Sequence, residues 1–107
     1  MSLQAFDVSI ELIRSLVQPL ASLDRRDTDL ARQLRRAAAS VSLNLSEGSR
    51  RQGKDRIHLW RIASGSADEV AASLRVAEAF GYLRADASAQ SLALCDRVLA
   101  MLWRLTH

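Results

Sequence analysis

Residues that interrupt helices are scarce in this sequence of 107 residues, which contains one proline, Pro19, and four glycines. Runs of β-branched residues, which favour strands, are also absent. Proline and glycine both disfavour the interior of a helix, so their scarcity favours helix along most of the chain. The sequence therefore predicts an all-α protein, and its length predicts a single domain over residues 1–107.

A single cysteine, Cys95, excludes an internal disulfide, and its position in an apolar run predicts a buried thiol. No apolar stretch approaches the roughly 20 residues that span a bilayer. Residues 1–10 lack the basic start and apolar centre of a signal peptide. We therefore expect a cytoplasmic protein without a membrane partner.

Motifs of catalysis and metal binding are also missing. Neither His58 nor His107 stands in a Glu-x-x-His relation, the usual source of metal ligands in helical bundles. The sequence contains no glycine-rich phosphate loop and no nucleophile elbow. We predict no enzymatic activity, no metal, no cofactor and no small-molecule substrate. The alternative is an acid–base pair or a metal site built on Glu47 and Glu69.

Apolar periodicity predicts four amphipathic helices joined by three short connections, which is typical of an antiparallel four-helix bundle. The first helix is predicted from about Ala5 to Leu20. Pro19 lacks an amide hydrogen and clashes with the preceding turn, so this helix should kink or end near Val17.

A polar connector is predicted over residues 22–27, before the second helix. Asp27 or Thr28 can cap that helix, because a short oxygen-bearing side chain accepts hydrogen bonds from the free amides of the first turn. The helix is expected to end between Gly48 and Gly53.

The third helix is predicted to begin near Lys54 and to end at Gly81, a residue suited to a left-handed stop. Asp86 or Ser88 is expected to cap the fourth helix.

Apolar residues exceed what one small bundle needs. The inner stripe of the second helix comprises Leu30, Leu34, Ala37, Ala38, Val41 and Leu45, and Ala39 and Leu43 point away from it. The third helix carries a first seam of Trp60, Ala63, Ala67, Val70, Leu74 and Ala77, and a second seam of Leu59, Ile62, Ser66, Glu69, Ser73, Val76 and Phe80. The fourth helix carries two lines, one of Leu92, Cys95, Leu99 and Leu102, the other of Leu94, Val98, Met101 and Leu105. Since one apolar stripe suffices for an edge helix, we predict self-association; the alternative is a monomer with wide stripes.

Positive charge is concentrated in one segment. The net charge of the chain is +3, but residues 32–61 contain eight basic and two acidic residues, a net charge of +6. A basic patch of this kind can bind RNA or DNA through the phosphates. The residues that we expect to do so are Arg32, Arg35, Arg36, Arg50, Arg51, Lys54 and Arg56. The alternative is that these side chains are solvated or contact acidic residues of a neighbouring subunit.

Polar residues beside the core form a second candidate cluster. On the second helix, Ser40, Asn44 and Glu47 share one face, and the third helix places Ser66 and Glu69 within its second seam. A buried carboxylate needs a partner, so we expect Glu69 to contact an arginine, an amide or another subunit. We interpret the cluster as a structural polar network.

Segments of the second and third predicted helices resemble a known protein family. Residues 33–38, Ser40 and the run Asn44-Leu45-Ser46-Glu47-Gly48 resemble the helix-two signature of the bacterial four helix bundle protein family, also called the ribosomal RNA intervening-sequence protein family. Residues 62–69 and 81–83 are similar to its helix-three signature.

The resemblance implies an antiparallel four-helix bundle that assembles into a homopentamer. Family members were first noticed as reading frames inside intervening sequences of large-subunit ribosomal RNA genes. The accessory protein of diversity-generating retroelements is similar, and it binds nucleic acid and a reverse transcriptase. A scaffold that contacts such a protein partner, with no contact to nucleic acid, is therefore the alternative function. We expect structural or interface roles for Asn44, Glu47, Gly48, Leu59, Ile62, Ser66, Glu69, Val76 and Phe80.

Overall fold

The computed structural model describes residues 3–107, and every regular element in this range is an α-helix. The elements are α1 (Gln4–Ser15), α2 (Val17–Asp24), α3 (Thr28–Ser49), α4 (Gly53–Ala79) and α5 (Ala85–Thr106). The predicted all-α class is confirmed. The predicted first helix, however, is divided into α1 and α2.

The break between α1 and α2 falls at Leu16, close to Pro19. Because Pro19 has no amide hydrogen, it cannot donate to the carbonyl of Ser15 four residues earlier. Ser91 of α5 replaces that donor: its hydroxyl lies 3.4 Å from the Ser15 carbonyl oxygen and 2.7 Å from the Ser15 hydroxyl. The predicted interruption near Val17 is confirmed, and a serine of another helix satisfies the freed carbonyl.

The predicted connector over residues 22–27 was wrong in its length. The break at Leu16 places Pro19 in the first turn of α2, where an amide has no acceptor within that helix. The helix therefore continues to Asp24 and buries Leu23, which leaves only residues 25–27 as the connector.

The predicted start of the second helix is confirmed. The carboxylate of Asp27 accepts a hydrogen bond from the Leu30 amide at 3.0 Å and caps α3. α3 ends at Ser49, within the predicted interval.

Gly81 ends the α4 segment as predicted, in the left-handed conformation at φ 77°. The Tyr82 amide donates to the Ala77 carbonyl and the Gly81 amide donates to the Glu78 carbonyl, both at 2.9 Å. This pair of bonds is a Schellman motif, which satisfies carbonyls at the end of the helix. Leu83 follows it and is buried.

The predicted caps of the fourth helix were wrong. Arg84 occupies the cap position of α5 without a side-chain hydrogen bond to the helix. Asp86 already lies in the first turn and is exposed, and Ser88 faces the core. Only Arg84 separates the buried Leu83 from the start of α5, so the helix begins before the predicted caps are reached.

The five helices pack around one hydrophobic core. α3 and α4 pack against each other, α5 packs against α1 and α4, α1 also packs against α3, and α2 lies mainly against α3. The predicted inner stripe of α3 and the predicted first seam of α4 are entirely buried. The molecule is elongated, with extents of 42 × 22 × 21 Å.

The prediction of surplus exposed apolar side chains on the fourth helix was wrong for most of the length of that helix. Cys95 and Leu102 of one line are buried, and so are Leu94 and Val98 of the other. α5 lies between α1 and α4, so a wide apolar stripe is covered within the chain. Leu105 is the member of these lines that is exposed.

Paired serine hydroxyls connect the helices across the core. They are Ser9 and Ser42 at 2.8 Å between α1 and α3, Ser15 and Ser91 at 2.7 Å between α1 and α5, and Ser40 and Ser66 at 2.7 Å between α3 and α4. Within residues 3–107, no buried side-chain nitrogen or oxygen lacks a hydrogen-bond partner. The core thus accepts small polar side chains because they satisfy one another.

None of the helices in the described range is both long enough and apolar enough to cross a membrane.

Candidate interaction surface between α3 and α4

An open groove of about 630 Å³ runs between α3 and α4. We call it the α3–α4 groove. It is lined by Gln33, Arg36, Ala37, Ala39, Ser40, Leu43 and Asn44 of α3 and by Ser66 and Glu69 of α4. It therefore brings together part of the predicted polar cluster with Arg36 of the predicted basic set and with Leu43, which points away from the core stripe.

The floor of the groove is a closed set of hydrogen bonds. The hydroxyls of Ser40 and Ser66 lie 2.7 Å apart. The Asn44 side-chain amide donates to the Ser40 carbonyl at 2.9 Å and lies 3.0 Å from the Ser40 hydroxyl. These groups satisfy each other and hold α3 and α4 in register, so the predicted structural network is present at these three residues.

Arg36 and Glu69 carry the free charges of the groove. Contacts at Ser40–Ser66 and Gly48–Trp60 show that α3 and α4 run antiparallel. At about 1.5 Å per residue, Arg36 and Glu69 both lie roughly 5 Å from the Ser40–Ser66 bond, on opposite walls. Both are exposed, and neither forms an ion pair with any residue of the range 3–107. The partner expected for Glu69 is thus not found within the described chain.

Large apolar side chains reach solvent at two places: Leu43 lines the groove, and Ile62, Val76 and Phe80 follow the second seam of α4 outside the groove lining. Leu43 is 68% exposed and Phe80 is 66% exposed, and Ile62 and Val76 are exposed as well. The Phe80 ring stacks on Tyr82 with 5.3 Å between ring centroids. The second seam of α4 is therefore not tucked inside a single chain.

The second seam is not uniform in its burial, however. Ser66 and Ser73 are buried, Leu59 is half-buried, and Glu69 is exposed in the single chain, so a partner for Glu69 on another subunit stays a prediction. The small serine side chains fit between α3 and α4, whereas the longer Glu69 side chain extends to solvent.

Glu47 lies apart from this groove. Its carboxylate accepts hydrogen bonds from Arg50 at 2.7 Å and from Arg51 at 2.8 Å. Its pKa is held below the usual range, first by the Arg51 hydrogen bond and then by the Arg50 hydrogen bond, so Glu47 is ionised at neutral pH. It lines a separate, smaller groove with Asp55 and His58. The structure thus does not bring Glu47 and Glu69 together.

Gly48 makes room for the Trp60 ring. A Cβ atom at this position would lie 2.6 Å from two atoms of the Trp60 ring. The ring nitrogen of Trp60 donates to the Leu45 carbonyl at 3.2 Å. The Arg56 guanidinium lies 5.3 Å from the centre of the same ring and donates to the Gly48 carbonyl at 3.2 Å. The signal in the sequence was a glycine at a core-facing helical position opposite a tryptophan.

The predicted nucleic-acid residues do not form one patch. Four pair with carboxylates of the same chain: Arg32 with Asp29, Arg35 with Asp24, and Arg50 and Arg51 with Glu47. Arg56 is bound to carbonyls at the end of α3. Only Arg36 and Lys54 of the set lack such a partner in residues 3–107. Arg36 lies 14 residues before Arg50, roughly 21 Å along a helix, so the set divides into two groups. Nucleic-acid binding stays a prediction.

Comparison with solved structures identifies the same fold in a crystal structure of a protein of unknown function from the S23 ribosomal protein family of Bacteroides thetaiotaomicron VPI-5482. The two chains are 19% identical, the alignment covers 95% of this chain and 97% of that chain, and the TM-score is 0.87. A search of curated proteins gives no match.

Among protein families, the model described as 23S rRNA-intervening sequence protein matches residues 1–104. The match covers the α3–α4 groove and the core around Trp60. The chain belongs to the 23S rRNA-intervening sequence protein family.

Proposed function

We propose that this protein is a self-assembling helical scaffold, in which copies of the chain cover one another through the α3–α4 groove. The protomer acts as an antiparallel four-helix bundle, with α1 and α2 together serving as one interrupted helix. The observation that carries the proposal is the exposure of large apolar side chains, Leu43 in the groove and Ile62, Val76 and Phe80 along the second seam of α4.

The energetic argument is the removal of these side chains from water. Fully burying a large aliphatic or aromatic side chain stabilises an association by about 1.5–3 kcal/mol. The hydrogen bonds among Ser40, Asn44 and Ser66 persist on association, which reduces the desolvation cost of the groove floor. Arg36 and Glu69 remain available as charged partners for a neighbouring subunit.

The groove is a binding surface and not a catalytic centre in this proposal. Its serine hydroxyls are bonded to each other and no histidine lines it, so it offers no activated nucleophile. We expect the homopentamer that the family resemblance implies, with five chains of 11.8 kDa giving about 59 kDa, and we expect it in the cytoplasm.

The test uses two exposed apolar residues on different sides of the molecule. Leu43→Asp places a charge beside the groove, whereas Val17→Asp places one at the α1–α2 break, where Val17 is 61% exposed. We expect Leu43→Asp to reduce the mass measured by light scattering to that of one chain, while Val17→Asp keeps the wild-type mass. Circular dichroism verifies that both variants remain helical. A wild-type mass for Leu43→Asp would overturn the proposal.

Binding of RNA or DNA is a second candidate, favoured by the free charges of Arg36 and Lys54. If it is correct, affinity falls steeply between about 50 mM and 200 mM salt, and charge reversal at both positions weakens binding equally for all sequences. Fluorescence anisotropy with short RNA and DNA oligomers measures both effects. Absence of binding at the lower salt concentration would contradict this candidate.

A further inference from the structure

One end of the elongated bundle carries the net positive charge of the whole chain. It comprises residues 3–7 of α1, residues 46–61 around the α3–α4 connection and residues 100–107 of α5, and we call it the basic end. The three segments meet there, because Leu3 lines a small groove with Arg104, and Arg61 donates a hydrogen bond to the Thr106 carbonyl at 3.2 Å.

The basic end contains six basic and three acidic residues, a net charge of +3, and the rest of the chain is neutral. Lys54, Arg61 and Arg104 form no ion pair within residues 3–107. The guanidinium of Arg61 has five N–H donors, so its bond to the Thr106 carbonyl leaves others free. Free cations concentrated at one end of a molecule favour a polyanionic partner.

An exposed tryptophan lies at the same end. The side chain of Trp103 is 62% exposed, although His107 stacks on its ring with the two centroids 3.4 Å apart. Trp103 and Arg61 line the same depression, which has a volume of about 490 Å³. The sequence analysis did not identify this site, because Trp103 belongs to neither apolar line of the fourth helix. Exposed aromatic rings beside cations are the side chains on which the bases of single-stranded nucleic acids stack.

The geometry of α4 relates the cations to the ring. Lys54 and Arg61 are seven residues apart, so they share a side of the helix over about 10 Å, and that side leads to Trp103. A single strand can place phosphates along this side while one of its bases stacks on the ring. A duplex offers no free base face, because its bases stack on one another. Asp68 lies about 10 Å beyond Arg61 along α4 and ends the basic surface.

We propose that the basic end binds single-stranded RNA or DNA, with Trp103 stacking on a base and with Lys54 and Arg61 contacting phosphates. The inference rests on the second candidate function and specifies its site and its ligand; Arg36 lies outside this contact. An anionic membrane surface fits less well, because it takes several apolar side chains on one face. Among the described residues of the basic end, Leu105 is the other large apolar side chain that is exposed.

Stacking is tested at Trp103 with labelled single-stranded RNA and DNA of about 12 nucleotides. We expect Trp103→Ala to weaken binding by roughly 5- to 150-fold, the usual effect of losing one stacked base, and Trp103→Phe to retain most of the affinity. Fluorescence anisotropy measures the affinity. Binding should also quench the intrinsic fluorescence of Trp103, whereas the second tryptophan, Trp60, is buried and should not respond.

The phosphate contacts are tested by the dependence of affinity on salt. Lys54→Gln and Arg61→Gln should each reduce the slope of log affinity against log salt concentration by about 0.7, the value for one phosphate contact with a single strand. Arg75→Gln is the matched control, because Arg75 is an exposed arginine of α4 outside the basic end and forms no ion pair within the described chain. An equal reduction for Arg75→Gln would contradict the assigned site.

The outcomes separate this site from the second candidate function. Wild-type affinity for Trp103→Ala, or tighter binding of a duplex than of a single strand, would overturn the site and leave nucleic-acid binding intact. Absence of binding to every oligonucleotide at about 50 mM salt would overturn both. Binding to phosphatidylserine vesicles without binding to oligonucleotides would also overturn both.

Light scattering separates the site from self-assembly. Trp103→Ala should keep the wild-type mass, and circular dichroism verifies that it remains helical. A change of mass together with the loss of binding would show that another copy of the chain contacts Trp103, and would overturn its assigned role in stacking.

Discussion

Trp60 packs in the core because residue 48 is a glycine. The Trp60 ring occupies the space that a larger side chain at position 48 would fill. An added Cβ would lie 2.6 Å from the ring, which forces either the ring or the helix to shift. We expect Gly48→Ala to lower the free energy of unfolding by about 1–3 kcal/mol, the usual cost of overpacking, although alanine favours helix. Equilibrium urea unfolding at a fixed protein concentration measures the change.

Gly65 supplies the matched control on α4. No atom lies within 4 Å of a Cβ added there, so only helix propensity changes. We expect Gly65→Ala to raise the free energy of unfolding by up to about 1 kcal/mol. Equal stabilisation by both substitutions would contradict the role of Gly48.

Cys95 should behave as a buried hydrophobic residue. Burial, and then the charges of Asp96 and Asp68, raise its pKa from 9.0 to about 12. In the unfolded chain the thiol ionises near its ordinary pKa, so the free energy of unfolding should fall as the pH rises from about 9 to about 12. Below this window both states hold the proton and the effect vanishes.

We expect Cys95→Ala to flatten this pH dependence when unfolding is followed across the alkaline range. The folded wild-type protein should also resist thiol reagents at about pH 8, because the reactive thiolate is scarce. Rapid modification of the folded protein would show that the thiol is accessible and not buried.

At the scale of the helices, the sequence predicted a helix boundary correctly where the boundary depends on one residue and its neighbours along the chain. Asp27 caps α3 and Gly81 ends α4, and both follow from local chemistry. The sequence did not predict features of a helix that depend on its contacts with other helices. The width of the buried stripe on α5, for example, depends on contact with both α1 and α4.

The break between α1 and α2 allows a test of how a contact from another helix stabilises a helix boundary. Ser91→Ala removes the hydroxyl that satisfies the Ser15 carbonyl, and we expect a loss of about 1–3 kcal/mol in the free energy of unfolding. Pro19→Ala restores an amide that can donate to the same oxygen. The loss from Ser91→Ala should therefore be smaller in the Pro19→Ala background, as measured by a double-mutant cycle. Equal losses in both backgrounds would show that Ser91 does not compensate for Pro19.

At the scale of the whole molecule, the sequence predicted part of the candidate site. The second seam of α4 could be read from its spacing, and the structure leaves Ile62, Val76 and Phe80 of that seam exposed. The separation of Glu47 from Glu69 could not be predicted, because it depends on which arginines reach Glu47 at the end of α3. The exposure of Trp103 could not be predicted either, since helical periodicity does not show which side of α5 its neighbours cover.

Light scattering on the wild-type protein, coupled to size-exclusion chromatography at micromolar concentration, tests most directly whether copies of this chain cover the α3–α4 groove. Self-assembly through the groove predicts a mass several times that of the 11.8 kDa chain, and about 59 kDa for five chains. A stable species of 11.8 kDa across that concentration range would contradict self-assembly, because Leu43 and the exposed second seam of α4 would then remain in water.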